Sequence, residues 1–361
     1  MNVIKKNRIV IDADIPFIKG VLEPYFDVTY IKGNMIDNSL LLDKDAIVIR
    51  TRTVCSPELL SGSKVKAIFT ATIGMDHIDM EYCGNNGIDV FSAQGCNAYG
   101  VMQYVVTAIF ELFLKMRVTG FRKMKIGVVG AGNVGEKVAT FFERSGFDVY
   151  RCDPPKSEVN QDIKYYPLDY LLSCCDVLTL HVPLDSQTRN MCSFDFLARI
   201  KEGAILVNTS RGEVVDELSL LEHKEKIGGL VLDVWQNEPM INEGLALVCD
   251  FATPHIAGYS YEGKVNATLY SVRNLARFFG IKELEKFEIE LPELPKVKAE
   301  EFFGEDALER TVNFLRGRFD IKKESNMLLE NLDRFETLRS EYKYRRELPL
   351  DTAIFLNRLL D

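Results

Sequence analysis

Tryptophan occurs once and histidine four times in 361 residues. No apolar run approaches the roughly 18 residues that a membrane span requires. The eight cysteines form no CxxC pair and no cysteine–histidine cluster at zinc-ligand spacing, so no metal site is expected and the thiols read as reduced. Positive charge is also short: 44 Lys and Arg against 53 Asp and Glu leave a net charge of −9, which removes the electrostatic reason to approach nucleic acid or an anionic membrane. The opening MNVIKKNRIVIDADIP turns polar before a signal-peptide core forms, and a cytoplasmic location is expected. There is no internal repeat and no low-complexity tract. What remains, 47% hydrophobic and 27% charged, is the profile of a globular chain of two or three domains with a sizeable core.

Short apolar runs recur, each followed by a turn and a helical pattern. RIVIDAD, FDVTYI, DAIVIRT, VKAIFTAT and IDVFSA fill the first hundred residues; MKIGVVG, FDVYRCD, DVLTLHV, GAILVNTS, GLVLDVW and LVCDFATPH form a second series. Strands alternating with helices predict parallel sheets covered on both faces, and two series predict two α/β domains. Between them, VMQYVVTAIFELFLKM predicts a long, largely buried helix over 101–116. Glutamates and two prolines near 287–298 read as a linker or extended arm. The segment beyond reads as mainly helical, apart from a candidate strand at TAIFL.

KIGVVGAGNVGEKV places Gly130, Gly132 and Gly135 between a buried strand and a helix. The first glycine permits a tight turn, the second lets backbone approach a pyrophosphate, and the third lets helix pack on strand, while Asn133 and Val134 open the helix whose N–H groups face the phosphates. The next strand ends in Asp153, whose carboxylate suits the adenine-ribose hydroxyls and repels a 2′-phosphate. NAD is therefore expected, with Arg151 nearby leaving NADP open.

Polar groups then recur every 22 residues at strand ends: Arg211 after AILVNTS, Asp233 after GLVL and His255 after VCDFATP. That edge of an open α/β sheet is where ligands bind. Glu238, five residues past Asp233, is placed to orient His255 and favour its charged form. Arg211 offers a planar fork for a carboxylate. Together these groups predict hydride transfer at C2 of a 2-hydroxy acid, with His255 taking the hydroxyl proton. Arg50 and Arg52 lie two apart where another strand ends and are candidate partners for an anionic group. His77 reads as a turn residue, His181 as a possible lining of the cofactor edge without an acid partner, and His223 as a residue of an exposed helix.

GAGNVG, NTSRGEVVDE, DVWQNEP and TPHIAG resemble, in order and spacing, the signatures of the D-isomer-specific 2-hydroxyacid dehydrogenases, over about residues 45–280. The resemblance implies Arg211, Glu238 and His255 as the catalytic set and Asp153, Asp233 and Gly258 as NAD contacts, Asp233 facing the nicotinamide carboxamide. It implies Thr51, Thr72 and Tyr259 as substrate contacts. TATIGMDHID, GCNAYGVMQYV, CDPPK and HIAGYSYEGK are similar to one branch of the family that acts on a phosphorylated hydroxy acid. FETLRSEYKYRREL, Phe335 to Leu348, resembles that branch's C-terminal dimerisation domain. The implied fold is α/β: a flavodoxin-like substrate domain over 1–96 and 257–286, a Rossmann NAD domain over 97–256, and a small α+β dimerisation domain over 287–361, the last making a homodimer. Two other readings stay open: a relative acting on phosphoglycerate or an unphosphorylated D-2-hydroxy acid, and an NAD-sensing protein without turnover.

Overall fold

The computed structural model describes residues 6–159, 162–294, 296–349 and 352–360. The chain divides into two compact units, Met1–Asn97 with Tyr261–Pro292 and Ala98–Ser260 with Glu293–Asp361.

The first unit holds five parallel strands, β1 (Arg8–Asp12), β2 (Asp27–Ile31), β3 (Ala46–Ile49), β4 (Ala67–Thr70) and β5 (Asp89–Ser92), in the order β2-β1-β3-β4-β5. This is the flavodoxin order. Every residue of the central β3 and β4 is buried, whereas the edge strands β2 and β5 each begin with an exposed aspartate. Alternate residues feed two cores. Ile9, Ile11, Val48 and Phe69 pack with Val272, Leu275 and Ala276 of the helix Tyr261–Phe279, while Val10, Ile47, Ile49 and Ile68 pack with Leu41, Leu59 and Leu60. Burial on both faces explains why these strands read as continuous apolar runs.

The second unit holds six parallel strands, β6 (Lys125–Val129), β7 (Asp148–Cys152), β8 (Val177–Leu180), β9 (Ile205–Asn208), β10 (Gly229–Leu232) and β11 (Phe251–Ala252), in the order β11-β10-β9-β8-β6-β7. The period of two again sorts the side chains. Ile126, Val128, Val177, Ile205, Val207 and Val231 face the helix Ala98–Lys115, and Val129, Leu178, Leu180, Leu206, Leu230 and Leu232 face the other core. Ala98–Lys115 is buried through nearly all its length, as the run of apolar residues predicts. Its buried Glu111 receives two bonds from Arg316, at 2.7 and 2.9 Å, and lies 2.9 Å from Lys322.

Residues 293–361 belong to this same unit. Leu308, Val312, Leu315 and Phe319 join the core against Ala98–Lys115, and Leu328 and Phe335 join the opposite one. The described part of this segment contains the helices Ala307–Arg318, Ile321–Leu329, Phe335–Ser340 and Thr352–Leu360 and no strand. The expectation of strand at TAIFL, and with it the α+β content of the tail, is therefore corrected. Ala353 and Leu356, three apart and both buried, give the run a helical side facing the core, and helix is the conformation that buries both.

Candidate active site

In the second unit all six strands run parallel, so their C-terminal ends share one edge. The strand order reverses at β6, which lies between β7 and β8, and the glycine loop leaves β6 at that switch point. Gly130 has φ +86° and donates from its N–H to the Cys152 carbonyl at 2.8 Å. A Cβ on Gly135 would stand 1.9 Å from the Gly130 carbonyl oxygen, so the helix Asn133–Arg144 can start here only with glycine. A Cβ on Gly132 would meet nothing within 4 Å. The protein's own packing gives no reason for glycine at 132, and no side chain caps the helix that Asn133 and Val134 begin.

Asp153 closes the loop from the β7 side: its Oδ2 accepts from Ala131 N at 2.9 Å and its Oδ1 from Lys156 N at 3.0 Å. Arg151, which left NADP open, is only 6% exposed and is spent on two carboxylates of its own unit, Glu136 and Glu143. His181 follows β8, donates its backbone N–H to the Val129 carbonyl and bonds Thr179 Oγ1 through its ring at 2.9 Å. Burial pushes its imidazole down to about 3, so it stays neutral.

Arg211, Asp233 and His255 follow β9, β10 and β11, three neighbouring strands in register at Asn208, Leu232 and Ala252. Arg211 is half-buried; its carbonyl accepts from the Asn208 amide at 2.8 Å and its Nη1 donates to Ser210 O at 2.7 Å. A Cβ on Gly212 would be 1.9 Å from the carbonyl carbon of Trp235, so the arginine loop lies directly on the loop that leaves β10.

Asp233 is 1% exposed. Its Oδ1 accepts from Thr253 Oγ1 at 2.6 Å and Ile256 N at 2.8 Å, and its Oδ2 from Ala257 N at 2.8 Å. Burial pushes this carboxyl above the usual range, against the pull of His255 and the three donors. Asp233 thus holds the TPHIAG loop from within, a role the spacing alone did not suggest.

His255 Nδ1 lies 2.8 Å from Glu238 Oε2, and Glu238 Oε1 accepts from Trp235 N at 3.1 Å. With Nδ1–H donating to the carboxylate, Nε2 is the ring nitrogen left to exchange a proton with a ligand. Burial opposes ionisation of Glu238, yet the charge and hydrogen bond of His255, joined by Arg339, hold its carboxyl below the usual value. Both sides of the pair sit on left-handed backbone without glycine, Asn237 at φ 57° and His255 at φ 55°, a conformation that surrounding structure must enforce.

Gly258 accepts from Ser260 N at 3.1 Å within the same loop. Tyr259 accepts at its hydroxyl from Arg339 Nε at 3.2 Å. Arg339, Arg345 and Glu347 are neighbours of the histidine loop that sequence reasoning missed: Arg345 donates to the carbonyls of Ile256, Ala257, Tyr259 and Gly100, and Glu347 accepts from Ser260 Oγ at 2.7 Å. The only signal for them was the FETLRSEYKYRREL segment itself.

Thr51, Thr72, Arg50 and Arg52 belong to the first unit. Arg50 Nη1 donates to Asp14 O at 3.2 Å, and Arg52 Nη1 lies 4.0 Å from Asp14 Oδ2, so the two cations already share Asp14. Thr72 Oγ1 lies 2.6 Å from Thr70 Oγ1 and donates to Gly74 O at 3.0 Å. His77 is bonded to Thr70 at 3.3 Å. Among the described residues no three His, Cys, Asp or Glu side chains gather as metal ligands would, and no helix is long and apolar enough to cross a membrane.

Residues 105–257 match the family model "D-isomer specific 2-hydroxyacid dehydrogenase, NAD binding domain". The chain is 39% identical over 347 residues to the erythronate-4-phosphate dehydrogenase of Bacteroides thetaiotaomicron, covering 94% of this chain and 97% of that protein. It is 33% identical over 358 residues to the enzyme of the same name from Porphyromonas gingivalis, covering 96% and 95%. In fold it is similar to the NAD-bound 3-phosphoglycerate dehydrogenase of Entamoeba histolytica, with a TM-score of 0.65 at 24% identity over 79% of this chain and 99% of that one. The D-lactate dehydrogenase of Aquifex aeolicus complexed with NAD and lactic acid gives a TM-score of 0.63 at 24% identity, covering 78% and 98%.

Proposed function

The chain belongs to the erythronate-4-phosphate dehydrogenases within the D-isomer-specific 2-hydroxyacid dehydrogenase family, and from that premise we propose that it oxidises 4-phospho-D-erythronate to (R)-3-hydroxy-2-oxo-4-phosphooxybutanoate in pyridoxal 5′-phosphate (vitamin B6) synthesis. The observation that carries the reading is the His255–Glu238 pair, 2.8 Å apart, with His255 at the end of β11 and Asp233 and Arg211 at the ends of the next two strands of the sheet, β10 and β9.

NAD, when bound, supplies the hydride acceptor. The residues present fit it: Gly132 leaves open the space that a pyrophosphate against the uncapped helix would fill, and Asp153 stands at the end of β7 with Arg151 withdrawn. Gly130, Gly132, Asn133, Val134 and Gly135 hold the phosphates in this reading, Asp153 the adenine ribose, and Asp233 and Gly258 the nicotinamide end. Asp233 reaches it from a carboxylate already accepting three hydrogen bonds.

Arg211 binds the substrate carboxylate and polarises the C2 oxygen. As the C2–H bond breaks and its electron pair leaves, the hydroxyl proton passes to His255 Nε2 and the C2–O bond becomes a carbonyl. Glu238 keeps the ring oriented and stabilises the imidazolium that forms. In the reverse reduction the same imidazolium returns the proton. Thr51, Thr72 and Tyr259 contact the substrate chain, and Arg50 and Arg52, released from Asp14, meet its phosphate. Residues 1–96 and 257–286 serve as the substrate domain, 97–256 as the NAD domain, and 287–361 pair two subunits of a cytoplasmic enzyme.

The test is NADH formation by purified protein with 4-phospho-D-erythronate, 3-phosphoglycerate and D-lactate, each with and without an added 2-oxo acid. A strong preference for phosphoerythronate is expected. Preference for another hydroxy acid overturns the substrate, and no turnover despite NAD binding overturns the catalytic reading. Light scattering at working concentrations tests the dimer, which a monomeric mass refutes.

A further inference from the structure

The catalytic pair has a cationic neighbour from far along the chain. Arg339, on the short helix Phe335–Ser340, places Nη1 3.6 Å from Glu238 Oε2, the same oxygen that faces His255 Nδ1. Its Nε donates to the Tyr259 hydroxyl at 3.2 Å, and its side chain is only 21% exposed. The segment just after this helix is fastened to the histidine loop. Arg345, stacked 4.3 Å over Phe319, donates to the carbonyls of Ile256, Ala257 and Tyr259, and Ser260 donates to Glu347.

We propose that Arg339 is a positioning residue of the hydride-transfer site, sharing the charge of Glu238 with His255 so that the imidazole can serve as the base for alcohol oxidation, while holding the Tyr259 hydroxyl. A carboxylate bonded to an imidazole favours the protonated ring, and a protonated ring cannot serve as the base for alcohol oxidation. A guanidinium on the same oxygen weakens that hold, and its charge also opposes the imidazolium. Other charged groups near the pair include Asp233 on the loop after β10, Glu336 on Arg339's own helix and Arg345 on the carbonyl of Ile256, with the phenols of Tyr259 and Tyr342 beside them. Arg339 is a cation that the structure sets against Glu238 itself.

The inference rests on His255 as the base, and its test is independent of which hydroxy acid the enzyme prefers. In full-length Arg339→Gln and Arg339→Lys proteins, the pH dependence of kcat/KM for oxidation is measured with whichever hydroxy acid the wild type turns over, alongside NADH affinity and unfolding temperature. For Arg339→Gln the acid limb moves to higher pH by about half a unit to one unit, a roughly 3- to 10-fold loss on that limb. Arg339→Lys keeps the wild-type limb, and NADH affinity is unchanged in both. A glutamine profile that is the wild-type curve scaled by a constant overturns the proposal and leaves Arg339 a structural brace. A loss confined to substrate KM, with an unmoved limb, also overturns it and makes Arg339 a substrate ligand. If no hydroxy acid reacts, the ring resonances of His255, assigned against His255→Asn, are titrated by NMR in wild type and Arg339→Gln; superimposed curves overturn the proposal.

Discussion

Replacing Asp233 by asparagine removes a charge without changing shape, and the hydrogen bonds around it leave the amide no good orientation. Oδ1 accepts from the Ile256 N–H and the Thr253 hydroxyl, and Oδ2 from the Ala257 N–H. Whichever way the amide is turned, its NH2 group confronts a backbone N–H, donor against donor. A hydrogen bond to a charged group contributes about 1.5–3 kcal/mol, so one is lost outright and two are weakened. Burial, which pushes the Asp233 carboxyl upward, returns part of this when the charge goes. A net loss of about 2 kcal/mol is expected, or roughly 4–8 °C in Tm for a unit of this size. The loop that shifts carries His255 between two of the affected residues, and a displacement on the order of 1 Å is enough for about a 100-fold loss of kcat. Calorimetry and single-turnover kinetics on Asp233→Asn measure both effects. Wild-type Tm with wild-type kcat would refute the role assigned to these three bonds.

His255→Ala should lower kcat by about 10²- to 10⁴-fold while NADH fluorescence still reports binding; unchanged kcat removes His255 as the proton carrier. His181 is held neutral in the fold, with a value near 3 against 6.5, so its contribution is present above pH 6.5 and lost as pH falls towards 3, where the unfolded chain binds the proton first. Urea titrations should show His181→Gln losing less stability than wild type across that window, by an amount on the order of a few kcal/mol, and parallel curves would contradict it. Deleting residues 293–361 strips Leu308, Val312, Leu315, Phe319, Leu328 and Phe335 from two cores. At about 1.5–3 kcal/mol each this rivals the whole stability of a domain, so insoluble protein is expected; a soluble truncation that binds NAD would show the tail to be separable.

Both sheets were legible because their central strands are buried on both faces and read as apolar runs, and each run answers to one of β1 to β11. The exception in length is β11, where LVCDFATPH reduced to Phe251–Ala252 because Leu247 and Val248 finish the helix Glu243–Val248. A short apolar run does not say which of two elements owns it. His255 and Glu238 were readable because strand-end chemistry recurs at a fixed interval. Arg339 and Arg345 were not, since their partners lie at sequence separations of 80 and 89, and nothing local to FETLRSEYKYRREL names a histidine loop. Arg151 shows the opposite limit: proximity to Asp153 left NADP open, and only the ion pairs to Glu136 and Glu143 reveal that the side chain is already engaged.

The grip of Arg345 and Glu347 on the loop after β11 also orders events during synthesis. Arg211, Glu238 and His255 have all left the ribosome well before the residues that fasten their loop emerge. A nascent chain, or a product of premature termination past Ser260, therefore carries the full set of reacting side chains without the fastening that aligns them. In the proposed reading, competence for hydride transfer therefore arrives late in translation, once the segment that fastens the histidine loop has emerged.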